Sequence, residues 1–207
     1  MSDIKTTIHP TLHHYGLTTA NLKRMSEWYA TVLGMSVVFE TSSPLGKNAP
    51  VTVNAAWVTN DRANHRVGLI EIPQLTRDPQ RSSHFRLQHV AYEYDSLELL
   101  LDTYLRLKVN GITPVLSADH GATISLYYED PDGNSVELFA DNFGDWAKSG
   151  KFMRTSPNFA SLPMGRYVEP EKMLAARANG VTADEIHRRA YAGEFSPEQA
   201  VDPRVLM

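Results

Sequence analysis

Two short stretches of the chain carry a histidine in the same setting, "LHHYGLTT" at 12–19 and "LQHVAYEY" at 87–94. Each opens with Leu, places a His two residues on (His14 and His89), and continues as an apolar-rich run. A third chemically pointed residue is Glu137, in "SVELFA" at 135–140. Strand alternation sets Val136, Leu138 and Ala140 on one face and Glu137 with Phe139 on the other. A carboxylate among such neighbours is costly to bury unless it is paired or bound to a metal. His14 and His89 stand at equivalent points of two similar segments, so an approximate two-fold relation between those segments would bring both imidazoles to one shared site, which with Glu137 could be a metal site or a polar cluster without metal. His13, next to His14, should face the other way by the same alternation and is read as structural.

The elements that must position these residues repeat as well. Seven residues after His14 comes Asn21, a good N-cap, followed by Leu22, Met25, Tyr29, Val32 and Leu33 at helical spacing, with Gly34 as the closing residue. Seven residues after His89 comes Ser96, then Leu97, Leu100, Leu101, Tyr104 and Leu107, closed by Gly111. β-rich runs follow each helix: 35–40, 51–60 and 66–72 in the first half, 113–120, 123–130 and 135–140 in the second. "PDGN" marks a tight turn between the last two. The pattern is βαβββ twice, an α+β fold of paired modules made by duplication of one supersecondary unit.

Composition excludes several other classes. With 42% apolar and 21% charged residues over 207 positions, a packed globule is expected. A formal charge of −4 and the lack of a Lys/Arg stripe argue against nucleic acid as a partner. There is no cysteine, which rules out disulfides, thiolate metal sites and a Cys nucleophile, and fits a cytoplasmic setting. The first residues, "MSDIKTTIHP", lack the apolar stretch of a signal peptide, and no run approaches membrane-spanning length, so no membrane partner is expected.

Taken in order, the motifs resemble the vicinal oxygen chelate superfamily (the glyoxalase/bleomycin resistance/dioxygenase-like fold), and within it the single-domain type I extradiol catechol dioxygenases. The resemblance runs from about Leu12 to Asp141. "LHHYGLTTANLKRMSEWYATVLGM" resembles the family's first strand and helix, which implies His14 as a metal ligand; "LQHVAYEY" implies His89 as the second. "DHGATISLYYEDPDGNSVELFAD" resembles the closing hairpin, which implies Glu137 as the carboxylate ligand, Tyr127 as a catalytic tyrosine and His120 as a substrate-contacting histidine. His120 stands closer to Tyr127 than the equivalent pair usually does. "RANHRVGLIEI" resembles a motif with an acid–base histidine just before a strand, which falls on His65.

Two imidazoles and one carboxylate on one face of an ion leave three open positions, an arrangement suited to non-haem Fe(II), with Mn(II) as the other candidate. The activity implied is Fe(II)-dependent cleavage of the ring of a catechol, or a substituted catechol such as a 2,3-dihydroxybiphenyl-type diol, with O2 as co-substrate. Chelation of two adjacent oxygens lowers the cost of deprotonating them, and a histidine titrating near neutrality can carry the protons. The same superfamily offers glyoxalase-like isomerases, transferases and non-enzymatic antibiotic-binding proteins. An isomerase would use a fourth ligand from the end of the first module, and Glu71 in "VGLIEI" is at about that place. His9, His84 and His187 have no supporting context and are read as surface residues.

The expected boundaries are a two-module domain over 1–141 (modules about 11–73 and 86–141) and a C-terminal extension over 142–207. In the extension an ordered arm carrying Trp146, Phe152, Met153 and Phe159 should precede two short helices, "EKMLAARANG" and "TADEIHRRAYAG", the latter opened by a Thr182/Glu185 capping box. The module core is complete without it and leaves no strand for it to join, so its apolar side chains should cover the site entrance or bind a neighbouring subunit of a homo-oligomer.

Overall fold

The computed structural model describes residues 9–44 and 52–203. The chain divides into two compact units, Met1–Thr76 and Arg77–Met207. The opening residues 1–8 and Val51, the expected start of a strand, lie outside the described residues.

The first unit is one βαβββ module: β1 (Tyr15–Thr19), α1 (Leu22–Leu33), β2 (Ser36–Pro44), β3 (Thr52–Thr59) and β4 (Val67–Glu71). Its sheet order is β1-β4-β3-β2, with β1 parallel to β4 and the other pairs antiparallel. Helix α1 begins where the Asn21 side chain accepts from the Arg24 N–H and ends at Gly34, whose φ of 65° is the left-handed conformation that glycine enters without strain. Met25, Tyr29 and Val32 of α1 are buried with Ala56, Val58, Val67 and Leu69 of β3 and β4.

The second unit repeats the module: a single 3-10 turn (Arg81–Ser83), then β5 (Val90–Tyr94), α2 (Leu97–Val109), β6 (Leu116–Asp119), β7 (Thr123–Glu129) and β8 (Ser135–Asp141). Ser96 caps α2 by accepting from the Leu99 N–H. The order β5-β8-β7-β6 and the parallel β5/β8 pair reproduce the first sheet. The architecture is α+β, with paired βαβββ modules and a helical C-terminal extension.

The extension departs from the expectation. The segment expected as an arm forms α3 (Trp146–Thr155) and α4 (Pro157–Ser161), and a short strand β9 (Arg166–Tyr167) follows. β9 pairs antiparallel with β6, so there is a strand for the extension to join: the outer edge of β6 was open. The two expected helices are α5 (Pro170–Ala178) and α6 (Ala183–Ala192), the latter capped by Thr182 accepting from the Glu185 N–H. Val168, Met173, Ile186, Ala190 and Phe195 are buried, so the extension adds core to the second unit itself.

Glu71 ends β4 and spends both carboxylate oxygens locally. It accepts from the backbone N–H of Leu22, the first residue of α1, at 2.8 Å and from Asn54 Nδ2 at 2.5 Å. The Asn54 hydrogen bond, then that of Leu22, holds its carboxyl below the usual glutamate range. A carboxylate at a helix N-terminus satisfies an orphan N–H and complements the dipole. A depressed folded pKa means that this contribution is present above the ordinary glutamate value and lost as pH falls through the folded one. Glu71→Ala should therefore destabilise the first unit at neutral pH by about 1 kcal/mol, and the deficit should shrink in acid. Hydrogen exchange of the α1 amides at both pH values measures it, and equal protection at neutral pH would contradict the capping role.

Candidate metal and catalytic centre

In the second unit the parallel β5/β8 pair builds the centre. His89 is the residue immediately before β5, and Ala91, two places on, pairs with Glu137 in mid-β8. The consequence is a close polar pair: His89 Nε2 lies 2.9 Å from Glu137 Oε2. Glu137 is only 7% exposed. Burial pushes its carboxyl up, but hydrogen bonds from His89 and Ser125 outweigh that and hold it below the usual glutamate range.

The other ring nitrogen of His89, Nδ1, meets the Oε1 of Gln88. The buried Glu137 carboxylate faces Nε2, so either the ring carries a proton on that atom or a cation stands in its place. An imidazole and a carboxylate are both ordinary ligands of a divalent metal, so the donor set fits one.

Register keeps Glu137 on this face. Tyr127 of β7 pairs directly with Glu137, and the turn joining the two strands is locked by Asp130. Asp130 Oδ1 accepts from the N–H groups of Asp132 (3.0 Å) and Asn134 (2.8 Å), and Gly133 supplies a φ of 84°. A slip of one residue would send Glu137 to the helix side of the sheet. Tyr127 is buried, and burial first, then the charge of Glu137, pushes its hydroxyl well above the usual tyrosine range. Its oxygen lies 3.0 Å from His120 Nε2. The second unit thus brings together four of the six expected residues: His89, Glu137, Tyr127 and His120.

The first unit gathers the other two. Because β1 and β4 are parallel neighbours (Tyr15 pairs with Val67), the residues just ahead of each strand come side by side. The His14 and His65 rings are 4.3 Å apart. His13 joins them, with its Nδ1 3.0 Å from that of His14 and its ring 5.8 Å from His65. The expectation that His13 faces away fails because β1 begins only at Tyr15, so alternation does not reach back to it. Arg66 holds the cluster's loops together: Nη1 donates to the His13 carbonyl at 2.8 Å, while Nε and Nη2 bind Asp61. Those Arg66 contacts pull the Asp61 carboxyl down to about 2. Neither the histidine trio nor the His89–Glu137 pair makes, among the described residues, a group of three or more side chains placed to hold a metal.

One feature escaped sequence reasoning. His187, read as a surface residue, places its Nδ1 2.7 Å from Asp119 Oδ2, and Asp119 is fully buried at the end of β6. Asp119 also accepts from the Gly121 N–H and from Asn142 Nδ2. A buried aspartate needs such partners, and no local motif announces a partner 68 residues away. His84 is a surface residue, paired with Asp78 at 2.7 Å, and His9 is exposed. A groove of about 440 Å³ in the extension is lined by Asn158, Leu162, Arg166, His187 and Tyr191 among others. Its polar groups are engaged in the surrounding structure, Arg166 Nε with the Tyr191 carbonyl, His187 with Asp119 and Arg188 with Glu185, so the groove reads as packing.

The second βαβββ module sets a buried carboxylate on its last strand beside an imidazole from the head of its first. The Glyoxalase/Bleomycin resistance protein/Dioxygenase superfamily matches residues 11–138. Biphenyl-2,3-diol 1,2-dioxygenase 2 of Rhodococcus globerulus is 35% identical over 93% of this chain and 94% of its own. Biphenyl-2,3-diol 1,2-dioxygenase 3 of the same organism is 34% identical over 90% and 92%. Among solved structures, the trypanothione-dependent glyoxalase I of Leishmania major shares the fold, with a TM-score of 0.51 at 15% identity over 70% of this chain and 96% of its own. The chain belongs to this superfamily and groups with its extradiol ring-cleavage dioxygenases. Among the described residues no helix is long and apolar enough to cross a membrane.

The first unit's trio makes a direct electrostatic prediction. Partial burial, then the like charges of His14 and His13, lowers the His65 pKa. Between the ordinary histidine value and the depressed one the unfolded chain binds more protons, so this site removes stability as pH falls through that window. His14→Ala should raise the His65 pKa towards the ordinary value, as read from its imidazole proton resonances. An unchanged titration would show that the rings do not interact.

Proposed function

We propose that the chain cleaves the aromatic ring of a catechol or substituted catechol, such as a 2,3-dihydroxybiphenyl-type diol, with O2, using Fe(II) held by His14, His89 and Glu137. The observation that carries the metal is the buried Glu137 carboxylate 2.9 Å from His89 Nε2. The relatives' names point to a biphenyl-2,3-diol as the class of substrate. When bound, the iron supplies open positions for a chelating diol and O2 together with one-electron chemistry. The rest of the work falls to side chains. Glu137 contributes the negative charge that favours a cation, and Gln88 orients the His89 ring. His65, held below its ordinary range, presents a neutral imidazole at neutral pH, suited to take the proton of a catechol hydroxyl. Tyr127 and His120 form a hydrogen-bonded pair able to hold a proton beside the centre.

Register weighs against the isomerase reading. Tyr15 pairs with Val67 as Val90 pairs with Val136, so the first-module counterpart of Glu137 is Gly68, which has no donor. Glu71, three residues further on, is already committed to Leu22 and Asn54. A metal-free binding protein would have no use for a buried Glu137 carboxylate beside an imidazole. We place the protein in the cytoplasm, consistent with its lack of cysteine, and as a homo-oligomer, consistent with exposed apolar side chains such as Phe39 and Trp146.

Anaerobically iron-loaded protein, screened against several catechols, should take up O2 and give a yellow ring-opened product; no uptake with any catechol would contradict the reading. Parallel loading with Mn(II) identifies the working ion. Ala at His14, His89 or Glu137 should weaken metal binding by more than about 100-fold, the upper range for losing a mere supporting partner, with the fold intact by circular dichroism. Full occupancy in His14→Ala would remove it from the ligand set. His65→Phe should keep iron and catechol binding but slow turnover by roughly 10²–10⁴-fold. Unchanged turnover would return His65 to a structural role.

A further inference from the structure

The extension reaches back to the centre through one turn. Arg166 of β9 pairs with Asp119, and the residues just ahead, Met164 and Gly165, lie against the backbone at His120. Gly165 has a φ of 71°, and a Cβ built on it would stand 1.9 Å from the Asp119 carbonyl oxygen and 2.6 Å from His120 Cα. Only glycine allows that approach. It brings the Met164 carbonyl oxygen to 2.9 Å from His120 Nδ1.

A carbonyl oxygen can only accept, so the hydrogen must sit on Nδ1. The neutral His120 ring then offers an Nε2 lone pair, and that atom is 3.0 Å from the Tyr127 hydroxyl. Tyr127 has one proton and three neighbours that could accept it, His120, Glu137 and the Ser125 hydroxyl. The ring tautomer decides whether His120 does. The residue before His120 is held independently: Asp119 accepts from Gly121, Asn142 and, from α6, His187.

We propose that the C-terminal extension is a positioning element of the centre: the Met164–Gly165 turn fixes His120 as its Nδ1–H tautomer, so that the Tyr127 hydroxyl donates its hydrogen bond to His120 and leaves Glu137 to the metal. Met164 and Gly165 touch neither metal nor substrate; they act through His120. The catalytic consequence rests on the dioxygenase reading, whereas the tautomer does not.

The test is ¹⁵N-histidine NMR of the metal-free full chain at neutral pH. Wild type should show His120 protonated on Nδ1. Gly165→Ala should shift His120 towards the Nε2–H form. Gly180→Ala should not; Gly180 has a φ of 79° but nothing within 4 Å of an added Cβ, so it controls for backbone strain alone. Tyr127→Phe should keep the Nδ1–H form, because Met164 sets it. An Nε2–H wild type, or a tautomer that follows Tyr127→Phe, overturns the proposal even if Gly165→Ala fails to fold. An unshifted, folded Gly165→Ala overturns it as well. In iron-loaded protein, Gly165→Ala should lower kcat by about 100-fold with KM little changed, and a shifted tautomer with full kcat overturns the positioning role. A wild type with the expected tautomer but no turnover of any catechol overturns the dioxygenase reading and leaves the tautomer assignment standing.

Discussion

Burying Glu137 in the middle of a sheet is the constraint on which the second unit turns. An isolated carboxylate in that place would be too costly to keep charged. It is kept charged by what the strands beside β8 supply: His89 from the head of β5 and Ser125 from β7. Each of these depends on register, and register depends on the Asp130 turn, so a loop remote from the chemistry holds the carboxylate on its face of the sheet.

The duplication supplies similar geometry twice and different chemistry each time. In both modules the parallel pairing of first and last strands lays the head of one beside the head of the other. In the first this crowds three imidazoles together, and burial, then the charges of His14 and His13, favours the neutral form of His65. In the second it joins one imidazole to a carboxylate. Gly68 in the place of Glu137 makes the modules unequal: one gathers imidazoles, the other sets a carboxylate beside its imidazole.

Much of this was legible in the sequence where the signal is local. Asn21 and Ser96 as caps, Gly34 as a terminator, and the Leu-x-His heads of β1 and β5 are short-range features, and each stands where its chemistry placed it. What was missed is long-range or too short to show a period. β9 has two residues and no alternation to detect, and the Asp119–His187 pair joins elements far apart in the chain. His13 was misjudged by extending strand alternation beyond the strand. The helices of the supposed arm did carry signals that went unread: Asp145 caps α3, and Ser156 followed by Pro157 opens α4.

The central claim is that a divalent ion takes the place of the proton between His89 and Glu137. Anaerobic Fe(II) titration by calorimetry in two buffers of different ionisation enthalpy measures both stoichiometry and proton release. The account predicts one ion bound per chain, with protons released on binding, and loss of both signals in Glu137→Ala. Saturable binding that persists unchanged in Glu137→Ala, or no binding by the wild type, would contradict it.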